Sequence, residues 1–156
     1  MYYNFLSGVF TDDTGESSAF TSKKIARYAI ILLVGIVYGL IMFIGQTPEK
    51  AEPLQYLFIF LRSVLLAPIF EELVYRRILL GLLRHSGKLP FWIVNLAQAS
   101  VFAMFHSSVP QAIKAFVFAL IAGYVYNKTN KLGYCIAMHS VANLVVLVLG
   151  VVSSWY

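Results

Sequence analysis

Charge is scarce in this sequence: Asp, Glu, Lys and Arg make up 12% of its 156 residues, against 60% hydrophobic residues. A soluble domain carries roughly 25% charged and about 45–50% apolar residues. Too few charges are present to clothe a water-exposed surface, so lipid must be the solvent for most of the chain. The mean hydropathy of +0.76 agrees. Cysteine is almost missing as well. With Cys135 alone, an intramolecular disulfide and a cysteine metal cluster are both excluded. In its apolar run Cys135 reads as a small buried hydrophobe rather than a nucleophile. A signal peptide opens on a basic region, which is lacking here: the first charged residue is Asp12. No lipidation signal is seen at the Ser-Ser-Trp-Tyr end. Internal repeats are absent, and so are the paired interrupted spans of inverted-repeat transporters, which argues against a transporter or channel subunit. The net charge of +5 comes without a basic stripe interleaved with exposed aromatics, so no nucleic-acid partner is expected.

What is present is a succession of apolar segments. Residues 1–22 read as a polar N-terminal segment rich in Ser, Thr, Asp and Gly, and residues 23–156 as a membrane-embedded helical domain. A span takes roughly 20 residues at about 1.5 Å rise each. Five are predicted, over residues 28–44, 54–83, 90–106, 111–126 and 132–152, with a polar turn at 46–53. The second is unusual: it carries Arg62, Glu71, Glu72, Arg76 and Arg77, and Pro68 in its middle predicts a kink. Basic residues gather at 23–27, 76–88 and 128–131. The positive-inside rule then sets those ends and the N-terminus in the cytoplasm, and the C-terminus outside the cell membrane. Lys114 is the one charge on the wrong side. The expected fold is an all-α, polytopic transmembrane helical bundle of about five spans around a polar intramembrane cavity.

That cavity is inferred from residues that are costly in lipid. A charged side chain at the bilayer centre costs on the order of 2.5–3.5 kcal/mol on insertion scales. Glu72 and Arg76 are four residues apart, so on a helix they share a face and pair. Glu71 is rotated by roughly 100° from Glu72 at 3.6 residues per turn, which leaves it free for chemistry. Phe102 and His106 stand one turn apart, and His106 requires a partner from elsewhere. His139 and Asn143 again share a face and can donate hydrogen bonds into one space. Arg62 can snorkel or pair with an acidic residue, and His85, beside Arg84, reads as solvated surface. Taken singly, each of these groups is more often structural glue than chemistry. Polar residues on three separate helices are most cheaply kept where they meet.

From the residues alone two chemistries stay open. In one, Glu71, His106 and His139 bind a zinc ion and leave a fourth position for water. The close-spaced HExxH pattern is missing. In the other, no metal or other cofactor takes part: Glu71 and His106 deprotonate a water, while His139 and Asn143 donate to the oxyanion that forms at a scissile carbonyl. Glu72 and Arg76 then support the site.

The order Glu-Glu-x-x-x-Arg at 71–76, Phe-x-x-x-His at 102–106 and His-x-x-x-Asn at 139–143 resembles the three signatures of the CPBP family. That family, also called Abi, groups CAAX prenyl-protein endopeptidases with bacteriocin-processing and immunity proteins. The resemblance covers about residues 55–150 and extends through the stretch Glu-Glu-Leu-Val-Tyr-Arg-Arg-Ile-Leu-Leu at 71–80. It implies a metal-independent intramembrane glutamate peptidase with Glu71 and His106 activating water, His139 and Asn143 at the oxyanion, and Glu72 and Arg76 in support. The implied substrate is a peptide or membrane protein: a CAAX-type C-terminus, a bacteriocin leader or a signalling peptide. Arg77 departs from the glycine that often follows the motif arginine. The chain is short beside many members, so a second copy or a partner membrane subunit would complete the groove. The alternative is a non-catalytic bacteriocin-immunity or scaffold membrane protein that uses the same cavity for binding.

Overall fold

The computed structural model describes residues 19–47, 50–85, 87 and 89–155, with side chains from residue 23 onward. The expected polar segment at residues 1–22 therefore lies almost entirely outside the described residues, as do two residues of the 46–53 turn. The described residues are all-helical, without strands, and form five helices. We number them α1 (Ala19–Phe43), α2 (residues 53–85), α3 (Phe91–Met104), α4 (Val109–Thr129) and α5 (Leu132–Ser153).

Three of them, Lys23–Phe43, Val109–Thr129 and Leu132–Ser153, are long and apolar enough to cross a membrane. The chain is an integral membrane protein. The other two expected spans differ from this standard. α2 has the length, roughly 50 Å at about 1.5 Å per residue, but it carries the charged residues of the predicted site. α3 has 14 residues, about 21 Å, against a hydrocarbon core of about 30 Å. It stops at Met104 because the chain tightens there, with Phe105 N–H bonded to Phe102 O and His106 N–H to Ala103 O. His106 consequently sits in the turn after the helix, not inside a span.

Burial is arranged for lipid. Ile30, Leu33 and Trp92 are 59–66% exposed, while Glu72, Arg76 and Gln98 are fully buried. In water this pattern would be unstable; in hydrocarbon the outward apolar faces cost nothing and the polar groups must pair internally. Helices in lipid approach through small residues, and the core is accordingly rich in Ala99, Ala115, Ala119, Ala122 and Ala142. Between α3 and α4, Asn95 Nδ2 donates to Leu120 O (3.0 Å), while Gln98 Nε2 donates to Ala119 O (2.9 Å) and Asn95 Oδ1 (2.8 Å).

α1 lies along α5 through Gly35 and Gly39. A Cβ on Gly39 would stand 2.6 Å from Val145 Cβ and 2.7 Å from Ala142 O; one on Gly35 would stand 2.7 Å from Met138 O. Gly39→Val is expected to lower stability by about 1–3 kcal/mol, the usual range for overpacking. The check is the thermal midpoint in detergent, with Gly133→Ala, which faces open space, as the silent control. An unchanged midpoint for Gly39→Val would refute the close contact.

Lys114 also finds its reason. From α4 its Nζ donates to Met42 O (3.2 Å) and Ile44 O (2.5 Å). It satisfies carbonyls that α1 leaves open at its C-terminus, where a cation also suits the helix dipole. The charge that the positive-inside reading leaves unexplained thus serves as a cap.

α2 crosses both helix pairs, touching α5 with its first half and α3 and α4 with its second. It is continuous but not uniformly α: Phe60–Leu66 and Leu73–Leu80 are π-helical and enclose the α-turns Ala67–Glu72. Pro68 accounts for the first irregularity. Ala67 N–H bonds to Arg62 O, five residues back. The next donor in that register would come from Pro68, which has no N–H. Ser63 O is thereby left without a donor in its own helix. The predicted kink takes the form of this π-turn, a form that recurs at functional sites.

Candidate active site

Ser63 O is taken by Asn143 Nδ2 of α5, at 2.7 Å. This one bond registers α5 against α2 at the site. An amide nitrogen has two N–H groups, so the second remains for the cavity beside it.

Nine residues further along α2, Glu72 is fully buried between two cations or potential cations. Its Oε1 stands 2.9 Å from His139 Nδ1, and its Oε2 stands 2.9 Å from Arg76 Nε. The second contact is an ion pair at close range and not a directed hydrogen bond, because the N–H of Nε does not lie along it; the outer Nη1 and Nη2 have no hydrogen-bond partner among the described residues. Aromatic faces supply the rest of the arginine's environment: the guanidinium carbon lies 5.0 Å from the Phe102 ring and 5.9 Å from that of Phe118. Phe118 also packs on His139 with ring centroids 4.7 Å apart.

The contact with Glu72 fixes the chemistry of His139. An ionised carboxylate only accepts, so Nδ1 carries the proton and Nε2 faces the other way. There it stands 3.9 Å from Glu71 Oε2, whose side chain is 39% exposed.

His106 is half-buried, and its ring centroid is 5.2 Å from Phe102. Its Nδ1 is 3.3 Å from Phe102 O, in the last turn of the α3 helix that precedes it, rather than from a partner on another helix. A carbonyl only accepts, so Nδ1 is protonated here too and Nε2 is left as an acceptor.

Glu71, His106, His139 and Asn143 line one cavity of about 210 Å³, with Arg62 and Ser63 on its wall. Glu72 and Arg76 lie behind it, reaching it through His139. Sequence reasoning missed Tyr38, which also lines it. The Tyr38 hydroxyl donates to Lys114 O and accepts from Phe118 N–H at 3.2 Å, standing between two groups that an α-helix pairs with each other. Its signal, a tyrosine one residue before Gly39 inside an apolar span, is faint. Arg62 has no carboxylate ion pair among the described residues. It is exposed and borders the site.

The zinc alternative is not assembled. Among the described residues no three His, Cys, Asp or Glu side chains are grouped to hold a metal ion. Cys135 is buried, with Sγ 3.4 Å from Ala122 O, as a packing residue would be. His85 is exposed.

A base, a second acceptor and two donors around one small cavity can activate water against a carbonyl. The comparisons bear on this directly. A family model described as type II CAAX prenyl endopeptidase, Rce1-like, matches residues 53–145, more than half of the chain and all three motifs. No curated protein and no solved structure gives a match.

Proposed function

Since the chain belongs to the Rce1-like family of type II CAAX prenyl endopeptidases, we propose that it is an intramembrane endopeptidase in which Glu71 and His106 activate the hydrolytic water. The observation that carries the reading is the shared cavity: side chains from α2, from the turn after α3 and from α5 converge on it. Two acceptors, the Glu71 carboxylate and His106 Nε2, hold the two hydrogens of a water and leave a lone pair toward a scissile carbonyl carbon. Glu71 takes a proton as the water oxygen bonds to that carbon. The oxyanion accepts from protonated His139 Nε2 and from the second N–H of Asn143. Collapse of the tetrahedral intermediate breaks the C–N bond, and the proton held by Glu71 passes to the leaving amine. Glu72 and Arg76 hold His139 in position, with Nδ1 on Glu72 and Nε2 turned to the cavity.

The substrate class is a peptide or a membrane-associated protein that reaches the cavity from the membrane surface. The basic ends at 23–27, 76–88 and 128–131 support a cytoplasmic N-terminus and an external C-terminus in the cell membrane. A second copy or a partner membrane subunit would extend the peptide groove.

The test compares cells with wild-type protein, a deletion, and His106→Ala at matched membrane levels, reading new peptide N-termini in membrane and secreted fractions. A product made by wild type and reduced about 10²–10⁴-fold by His106→Ala is expected, the range for a lost acid–base group. If His106→Ala restores everything the deletion loses, the cavity is not used for catalysis and a binding or immunity role replaces the proposal.

A further inference from the structure

A second cavity, of about 430 Å³, opens at the other end of α4, between α1, α4 and the start of α5. Its lining is divided. Arg27, Lys128 and Lys131 supply three cations, and Ile30, Val125 and Tyr124 supply apolar and aromatic wall. None of the three cations forms an ion pair with a carboxylate among the described residues.

The turn between α4 and α5 fixes two of these cations. Asn130 takes the left-handed conformation at φ 52°, with its N–H bonded to Tyr126 O at 2.7 Å. Thr129 Oγ1 donates to Val125 O (2.7 Å) and accepts from Lys131 N–H (3.3 Å). Lys128 Nζ lies 5.7 Å from the Tyr124 ring centre, and Lys131 Nζ lies 5.9 Å from that of Tyr134. Tyr134 is in turn buried edge-on against Tyr28, 4.9 Å between centroids. Two lysines on a closed turn, braced by tyrosines, thus meet an arginine from the first turns of a membrane span.

We propose that this cavity binds one anionic phospholipid, with the headgroup phosphate among Arg27, Lys128 and Lys131 and an acyl chain along Ile30 and Val125. Charge complementarity selects the headgroup, since three positive side chains with no carboxylate partner among the described residues favour an anion over a zwitterion. The apolar wall selects a lipid over a soluble phosphate. The position selects the membrane boundary: Lys128 and Lys131 close α4 and open α5, two helices that meet the crossing criterion. On α5, Lys131 precedes His139 by eight residues, about 12 Å of helix, so this site is separate from the peptidase cavity and does not depend on that reading.

The experiment uses the full chain purified in zwitterionic detergent. Its thermal midpoint is followed against added phosphatidylglycerol, phosphatidylcholine and glycerol phosphate, and lipid carried into the gas phase is counted by native mass spectrometry. Phosphatidylglycerol is expected to raise the midpoint saturably with one molecule retained, while the other two do not. Each of Arg27→Gln, Lys128→Gln and Lys131→Gln should weaken the response about five-fold and the triple variant about a hundred-fold. Lys50→Gln, outside the cavity, should leave it intact. Because the substituted side chains are exposed or half-buried, the variants should share the wild-type midpoint without lipid, which verifies folding. Equal stabilisation by phosphatidylcholine, an equal effect of glycerol phosphate, or an undiminished response in the triple variant would each overturn the proposal.

Discussion

Replacing Glu71 with glutamine is expected to lower peptide hydrolysis by about 10²–10⁴-fold, the contribution of a positioned general base, with the protein still folded. The two halves of this result have separate causes. Glutamine keeps the size of the side chain and one carbonyl oxygen, so the cavity keeps its shape. The amide cannot take a proton from water, and the reaction loses its base. Stability should hardly change, because the Glu71 side chain is 39% exposed and its nearest charged partner, His139 Nε2, is 3.9 Å away. An ion pair so open to its surroundings is worth little, about 0–1 kcal/mol. Initial rates on the product identified by its new N-terminus, with the thermal midpoint measured in parallel, give both quantities. A Glu71→Gln protein that retains wild-type rates would remove Glu71 from the mechanism.

Glu72 should behave in the opposite way. Arg76→Leu leaves a fully buried carboxylate facing only His139, and Glu72→Leu leaves a buried guanidinium against two aromatic rings. Either single change is expected to cost about 3–5 kcal/mol, the range for removing one member of a buried pair. The double variant Glu72→Leu/Arg76→Leu should regain most of that loss, since apolar side chains of similar volume fill the space without an unpaired charge. It should remain inactive, because His139 has lost the acceptor that holds its Nδ1 proton. Denaturant titration of the singles and the double, with activity read beside it, separates the two roles. If the singles were as stable as wild type, the pair would not be what orders this part of α2. If the double were active, His139 would need no orientation from Glu72.

Much of this site was legible in the sequence, and its limits have physical causes. The i,i+4 spacing of Glu72 and Arg76 anticipated their contact because α-helical geometry brings such residues together. The cost of polar groups in lipid anticipated that Glu71, His106, His139 and Asn143 would share a space. The contact between Glu72 and His139 could not be read, since 67 residues separate them and periodicity is silent on which helices are neighbours. Nor could the π-turns of α2 be read: a proline marks a break, but the way the chain absorbs it depends on a donor elsewhere. The expected third span extended to His106 because hydropathy continues past Met104, whereas the backbone turns there. Gly35 and Gly39 did carry a signal, a small-xxx-small pair in an apolar helix, and it points to the seam with α5.

The carbonyl of Ser63 has a consequence for how the protein is made. Its donor, Asn143, lies 80 residues further along the chain, on the last of the five described helices. A ribosome delivers the two well apart in time. Ser63 borders the polar cavity, so until α5 arrives its carbonyl depends on water rather than on a protein donor. The same helix brings His139 to Glu72. Completion of insertion and assembly of the candidate site are thus a single event, since a nascent chain without α5 lacks both His139 and Asn143.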